Sequence, residues 1–255
     1  MNLDIDAVTD SIWRHLQAGV HYPREWNRRL GMADGYHVQL GILERLVAGG
    51  ESHAGWKVGL TAAAMRAQHN VHEPCFGFLL ASGNRPSGHV FRYAELIKPG
   101  FENELCLTIG TTLRGPGITF EQARNAIAEV APALEIVEKR GDFSADLPLT
   151  MADNAQQKAF VTAAPRPLND YDLAGATVRV YVDHALIDRA NGAEVMGNPI
   201  NSIVWLANKL AEFGRALEAG QCVISGSFTR QYPLDKPAHV RSEFEPFGVV
   251  EASFV

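Results

Sequence analysis

The spacing of apolar residues changes character near Gly55. Before it, Ile5, Val8, Ile12 and Leu16 recur at helical intervals within 3–19. A second helix is expected from about Tyr36 to Ala48, stopped by Gly49-Gly50. After it, short segments rich in β-branched and aromatic residues dominate: WKVGL at 56–60, FGFLL at 76–80, residues 101–109, ALEIVEKR at 133–140, AFVTA at 159–163, the alternating Val178, Val180 and Val182, CVISG at 222–226 and FGVVEASFV at 247–255. Asp183-His184 suits a hairpin turn. Helical signals are scattered among these strands. Thr61 can cap AAAMRAQ, Thr119 and Gln122 form a capping box for a helix to about Val130 that Pro132 would end, and Asn198 with Pro199 can start a long helix with Ile203, Leu206, Leu210, Phe213 and Leu217 on its buried stripe. Residues 141–149 read as a loop. Strands without regular βαβ alternation predict an α+β fold, not a doubly wound sheet. The expected division is a helical N-terminal region at 1–54 and a β-rich catalytic domain at 55–255.

With 46% hydrophobic and 20% charged residues, 255 residues can bury a sizeable core. A net charge of −6 with no basic block argues against nucleic acid and anionic membrane as partners. No run reaches the ~18 apolar residues of a membrane span. MNLDIDAV has no basic region followed by an apolar core, so no secretory signal is expected. Cys75, Cys106 and Cys222 form no CxxC pair, which suits a reduced, cytoplasmic protein. The histidines lack HxxxH and HExxH spacing, and there is neither a phosphate-binding glycine loop nor a GxSxG elbow.

The chemistry sits in three places. Period-two alternation puts Glu102 and Glu104 on one face of the strand at 101–109, about 7 Å apart. Alone, such a pair also suits a solvent-facing strand; facing a core, it needs neutralising, and a hard divalent cation with oxygen ligands does this well. Glu135 lies in a strand apolar on both parities, which asks for a partner: a cation shared with the first two, or a salt bridge to Lys139 or Arg140. Lys57, between apolar neighbours in WKVGL, either snorkels to solvent or is desolvated and poised for proton transfer. Asn154, in ADN at 152–154, and the Ser225-Gly226-Ser227 turn offer polar groups near strand ends.

Taken in order, WKVGLT at 56–61, Glu102 with Glu104, GPGIT at 115–119, PALEIVEKR at 132–140, ADN at 152–154, GNPINSIVWLANKL at 197–210 and VISG at 223–226 resemble the 2-keto-4-pentenoate hydratase / 4-oxalocrotonate decarboxylase family of the fumarylacetoacetate hydrolase-like fold. The resemblance covers Gly55 to the C-terminus. It implies a mixed β-roll with a small helical N-terminal region, Mg2+ or Mn2+ on Glu102, Glu104 and Glu135, an active-site lysine at Lys57, and Asn154 and Ser225 as substrate contacts. It implies a small 2-oxo or 2-hydroxydienoic acid substrate, a homo-oligomer, and association with a pathway enzyme. The expected activity is hydration of a 2-hydroxy-2,4-dienoate; the alternatives are vinylogous decarboxylation, C–C bond hydrolysis of acylpyruvates, and a degenerate relative that only binds a metal–oxo-acid complex. One departure stands out: hydratases of the family often have Asp where this chain has Cys75, and decarboxylases tend to have an apolar residue there.

Overall fold

The computed structural model describes residues 3–68 and 70–255. Its helices are α1 (Ile5–Gln17), α2 (Met32–Ala48), α3 (Ala63–Gln68), α4 (Phe120–Ala126), α5 (Leu147–Ala152) and α6 (Ile200–Ala211). Its strands are β1 (His53–Gly59), β2 (Cys75–Leu80), β3 (Asn84–Pro86), β4 (His89–Phe91), β5 (Pro99–Ile109), β6 (Ile127–Glu138), β7 (Gln157–Thr162), β8 (Arg166–Pro167), β9 (Thr177–Val182), β10 (Ala185–Asn191), β11 (Cys222–Ile224), β12 (Tyr232–Pro233), β13 (Ala238–Glu245) and β14 (Gly248–Phe254).

Two mixed sheets result, the α+β arrangement expected. One runs β2-β1-β11-β5-β6-β7-β3, with β12 added to β5 and β8 to β6; the other runs β10-β9-β13-β14-β4. The long antiparallel pair β5–β6 is the spine of the first sheet. Asp183 and His184 turn the β9–β10 hairpin with positive φ at both residues, the geometry a two-residue hairpin requires. The larger apolar core joins Val8 and Ile12 of α1, Tyr36, Val38 and Ile42 of α2 and strand residues up to Phe254, and a second, smaller cluster gathers Leu79, Cys106, Ala131, Ala133, Phe160 and Ile224. Among the described residues no helix is long and apolar enough to cross a membrane.

Local signals erred in four places. The helix opened by the Thr119–Gln122 box is real but stops at Ala126, and Pro132 stands inside β6, not at a helix end. Pro132 pairs with Leu105, whose N–H and C=O are turned to Ser225, so β5 asks it for no donor; its own C=O accepts from Ala163 at 3.0 Å. Residues 147–149 are not loop but the start of α5, capped by the Asp146 carboxylate on the Leu149 N–H at 3.2 Å with Pro148 in the first turn. Helix α2 starts at Met32, before Tyr36, because Asp34 caps the Gly31 N–H at 2.8 Å. Helix α6 ends at Ala211, so Phe213 and Leu217 lie beyond it, while Asn198 does accept the Ile200 N–H at 3.0 Å.

Candidate metal centre

Register makes the site. In the β5–β6 pair Glu102 stands directly opposite Glu135, and Glu104 opposite Ala133, so all three carboxylates share one sheet face. One carboxylate oxygen from each lies within 4.8 Å of the others. Glu104 and Glu135 have 0% exposure, and Glu102 is partly open to a cleft.

Lys57 of β1 reaches the same place from across β11. It is 4% exposed, with Nζ 3.3 Å from Glu135 Oε1 and donating to the Ala155 C=O at 3.2 Å. Beyond this ion pair of Lys57 with Glu135 Oε1, the two Glu135 oxygens and Oε1 of Glu104 are buried without a hydrogen-bond partner. The alternative pairing of Glu135 with Lys139 or Arg140 does not form: Arg140 is engaged by Asp153 at 2.7 Å and Glu138 at 3.2 Å, and Lys139 is exposed.

Three carboxylates against one ammonium leave two negative charges without compensation. Burial pushes the Glu135 carboxyl up to about 7 and Glu104 well above the usual range, where Glu135 and Glu102 add to the effect; burial raises Glu102 as well, against the pull of Lys57. For Lys57 burial works against the charge, but Glu135 with Cys75, Glu102 and Glu104 outweighs it and holds the ammonium above its ordinary range. Buried oxygens with no hydrogen-bond partner and an excess of two negative charges fit a hard divalent cation.

Two glycines make room. A side chain on Gly77 would meet Asn154 Oδ1 at 2.8 Å and Lys57 Cε at 3.1 Å. Gly226 has φ +98° and would strike Thr61 at 2.4 Å; its N–H donates to Glu104 Oε2 at 2.7 Å.

A cavity of about 280 Å³ opens above the carboxylates, bounded by Lys57, Glu102, Cys75, Gln156 and Ser227. Asn154 and Ser225 contribute differently from their expected role as substrate contacts. The Asn154 carboxamide accepts the Phe78 N–H at 2.7 Å and donates to the Phe78 C=O at 3.0 Å. The Ser225 hydroxyl is fully buried between the Leu105 N–H at 3.4 Å and the Gly226 C=O at 3.3 Å. Ser227, beyond the left-handed Gly226, lines the cleft instead. So does Gln156, whose Nε2 donates to Tyr22 Oη and the Gly141 C=O, both at 3.0 Å. Asn154, Ala155 and Gln156 all have positive φ, a left-handed run that aims the Ala155 carbonyl at Lys57. No residue preference announced that run. Ser227 belongs to the Ser225-Gly226-Ser227 turn that the sequence offered as a source of polar groups. Cys75 is buried, and burial raises its thiol to about 11 although Lys57 opposes this.

The model of the C-terminal domain of fumarylacetoacetate (FAA) hydrolase matches residues 51–255. The chain is 35% identical over 228 residues to a 2-hydroxyhexa-2,4-dienoate hydratase of Comamonas testosteroni, covering 87% of this chain and 85% of that one. It is 33% identical over 225 residues to a 4-oxalocrotonate decarboxylase of Pseudomonas sp. strain CF600, covering 88% and 85%. A solved 4-oxalocrotonate decarboxylase from Pseudomonas putida G7, complexed with magnesium and adipate, superposes with a TM-score of 0.92 at 30% identity, covering 98% of this chain and 97% of the other.

Proposed function

The chain belongs to the fumarylacetoacetate hydrolase family, and on that premise we propose that it is a lyase: a hydratase that adds water to a 2-hydroxy-2,4-dienoate, through its 2-oxo-enoate form, to give a 4-hydroxy-2-oxo acid, as in meta-cleavage breakdown of aromatic rings. The observation that carries this reading is the buried trio Glu102, Glu104 and Glu135, with oxygens that lack hydrogen-bond partners, beside Lys57 on one open cleft. These three carboxylates would hold Mg2+ or Mn2+. Such a cation, when bound, supplies a Lewis acid that stabilises negative charge on an oxygen of a 2-oxo acid.

The chain's own groups share the remaining work. Lys57 keeps its proton and has three donors. One is given to the Ala155 C=O and the ion pair orients the amine toward Glu135, which leaves a donor for a substrate carboxylate or for proton delivery to the carbon chain. Leu60, Val137 and Phe143 line the cleft and shield the reacting chain from bulk water. Gln156, tied to Tyr22 and the Gly141 C=O, and Ser227, tied to the Asn103 N–H and C=O, fix the polar part of the same wall. Asn154 and Ser225 act through the loops they brace.

The test mixes protein and Mg2+ with fresh 2-hydroxydienoates and follows dienol absorbance and CO2 together. Absorbance loss without CO2 is expected; no turnover of any dienoate overturns the lyase reading. A second reading, vinylogous decarboxylation, is favoured by Cys75, which puts a neutral thiol at the cleft where an acid would help activate water; CO2 release in step with absorbance loss would establish it. We further propose a cytoplasmic homo-oligomer that associates with a pathway enzyme, with exposed Leu186 and Ile187 on β10 as support for a self-contact. Light scattering of the purified protein tests the oligomer.

A further inference from the structure

The mouth of the cleft carries two cations that the buried centre does not use. Lys139 and Arg230 both line it and both are exposed. Among the described residues neither has an ion-pair partner. Glu138, next to Lys139 in the chain, is taken by Arg140 at 3.2 Å. Arg230 lies over the Tyr232 ring at 5.0 Å, which orders its guanidinium, while the Tyr232 hydroxyl engages Asp188.

Their height above the carboxylates follows from the register. Val137 and Lys139 follow Glu135 at every second residue on the cleft side, about 7 and 13 Å along the chain. On the neighbouring strand β5, Gly100 pairs with Val137, two residues along from the Glu102–Glu135 pair, and Gln231 Nε2 comes within 2.9 Å of where a Gly100 Cβ would stand. Arg230, next to Gln231, and Lys139, beyond Val137, border the same cleft, which Val137, Leu60 and Met65 also line.

Charge then selects the ligand. Three carboxylates, Lys57 and a divalent cation sum to zero, so each carboxylate of a bound 2-oxo acid adds one negative charge, and only two of them balance the two outer cations. An alkyl end would leave both outer cations unpaired, whereas a second carboxylate would pair with them through charge-assisted hydrogen bonds. Resting on the lyase reading above, we propose that Arg230 and Lys139 form a subsite for the distal carboxylate of a dicarboxylic substrate, and that the enzyme acts on a 2-hydroxydienedioate in preference to a monoacid of the same length.

The experiment compares a 2-hydroxydienoate ending in a methyl group with the diacid of equal chain length, on wild type, Arg230→Gln and Lys139→Gln. Both changes are at exposed positions away from the buried centre. Binding of the matching saturated monoacid and diacid is measured beside turnover by calorimetry, with and without Mg2+. In wild type the diacid is expected to have the higher kcat/KM, and Arg230→Gln to lower it by about 10- to 100-fold. The monoacid should change by no more than about twofold, because its end makes no charged contact. Equal kcat/KM for the two acids in wild type, or equal losses for both in the variants, overturns the subsite. If neither acid turns over, the lyase reading fails and binding decides: tighter saturated diacid, lost in Arg230→Gln, supports the subsite, and indifference to the second carboxylate refutes it.

Discussion

Exchange of Glu104 for Gln separates a metal ligand from a merely buried acid. The change keeps volume and keeps an oxygen for the Gly226 N–H, now 2.7 Å from Oε2. It replaces the partnerless Oε1 with an amide that can face Glu102 and Glu135 favourably. Metal-free stability should therefore hold or rise. Metal binding stabilises only the folded chain, by about 2.7 kcal/mol at a cation concentration of 100 times Kd. With 255 residues, the unfolding entropy is about 0.5 kcal/mol per degree, so this corresponds to roughly 5 °C in Tm. Loss of one of three anionic ligands that weakens binding about 100-fold leaves about 0.4 kcal/mol at the same concentration, under 1 °C. Thermal melts with Mg2+, Mn2+ and EDTA read both quantities on one instrument. A Glu104→Gln protein that keeps the full cation-induced rise would refute the assignment of Glu104, and a wild type indifferent to every divalent cation would refute the centre itself.

Four more outcomes are expected. Lys57→Met, an apolar side chain of similar length in a buried place, should leave the circular dichroism spectrum unchanged and lower kcat by about 10²–10⁴-fold; near-normal turnover would make the lysine structural. Cys75→Asp should preserve or raise hydration if the enzyme is a hydratase, and slow CO2 release if it is a decarboxylase; an unpaired buried carboxylate there costs several kcal/mol, so unfolding is measured in parallel. His53 is held neutral, Nε2 at the Gly55 C=O (2.8 Å) and Nδ1 at the Gln221 amide (3.2 Å), with burial lowering its pKa from 6.5 to about 4. The unfolded chain binds the extra proton between those values, so stability contributed by His53 is full above pH 6.5 and falls by about 3 kcal/mol as pH drops toward 4; urea midpoints of His53→Gln should lose this part of the slope. Asn154→Ala strands the N–H and C=O of Phe78, at about 1–3 kcal/mol each, which a shift in urea midpoint would register.

Alternation alone placed Glu102 and Glu104 on one face, because side-chain direction in a strand is a local property. That Glu135 lies across from Glu102 is a matter of register between distant segments, and only the order of motifs suggested it. Pro132 was misread for the opposite reason: proline is a strong local stop, but whether a strand tolerates it depends on which edge its neighbour presents. Asp146 and Pro148 were ordinary helix-start signals within a stretch read as loop, and could have been used. Nothing in the residue types of Ala155 and Gln156 foretells left-handed backbone. Tertiary hydrogen bonds impose it: Asn154 on Phe78, Gln156 on Tyr22 and Arg140 on the Asp153 C=O at 2.9 Å. Arg230 belongs to no motif and Lys139 stands near the end of PALEIVEKR, and only the fold brings both to one cleft.

The polar ties of the first fifty residues reach far down the chain. Gln39 donates to the carbonyls of Phe76 at 3.1 Å and Met151 at 2.8 Å, the Tyr22 hydroxyl bonds Thr150 at 2.9 Å, and His21 meets Asp153 at 3.3 Å. During synthesis the bonds of Tyr22 and His21, and one of the two of Gln39, form only after the segment around residue 153 has emerged, so the N-terminal region completes its polar ties late. Chimaeras should feel the same coupling: helices transplanted from a relative will fit only when residues 150–156 travel with them, and the working unit of exchange is this pair of segments.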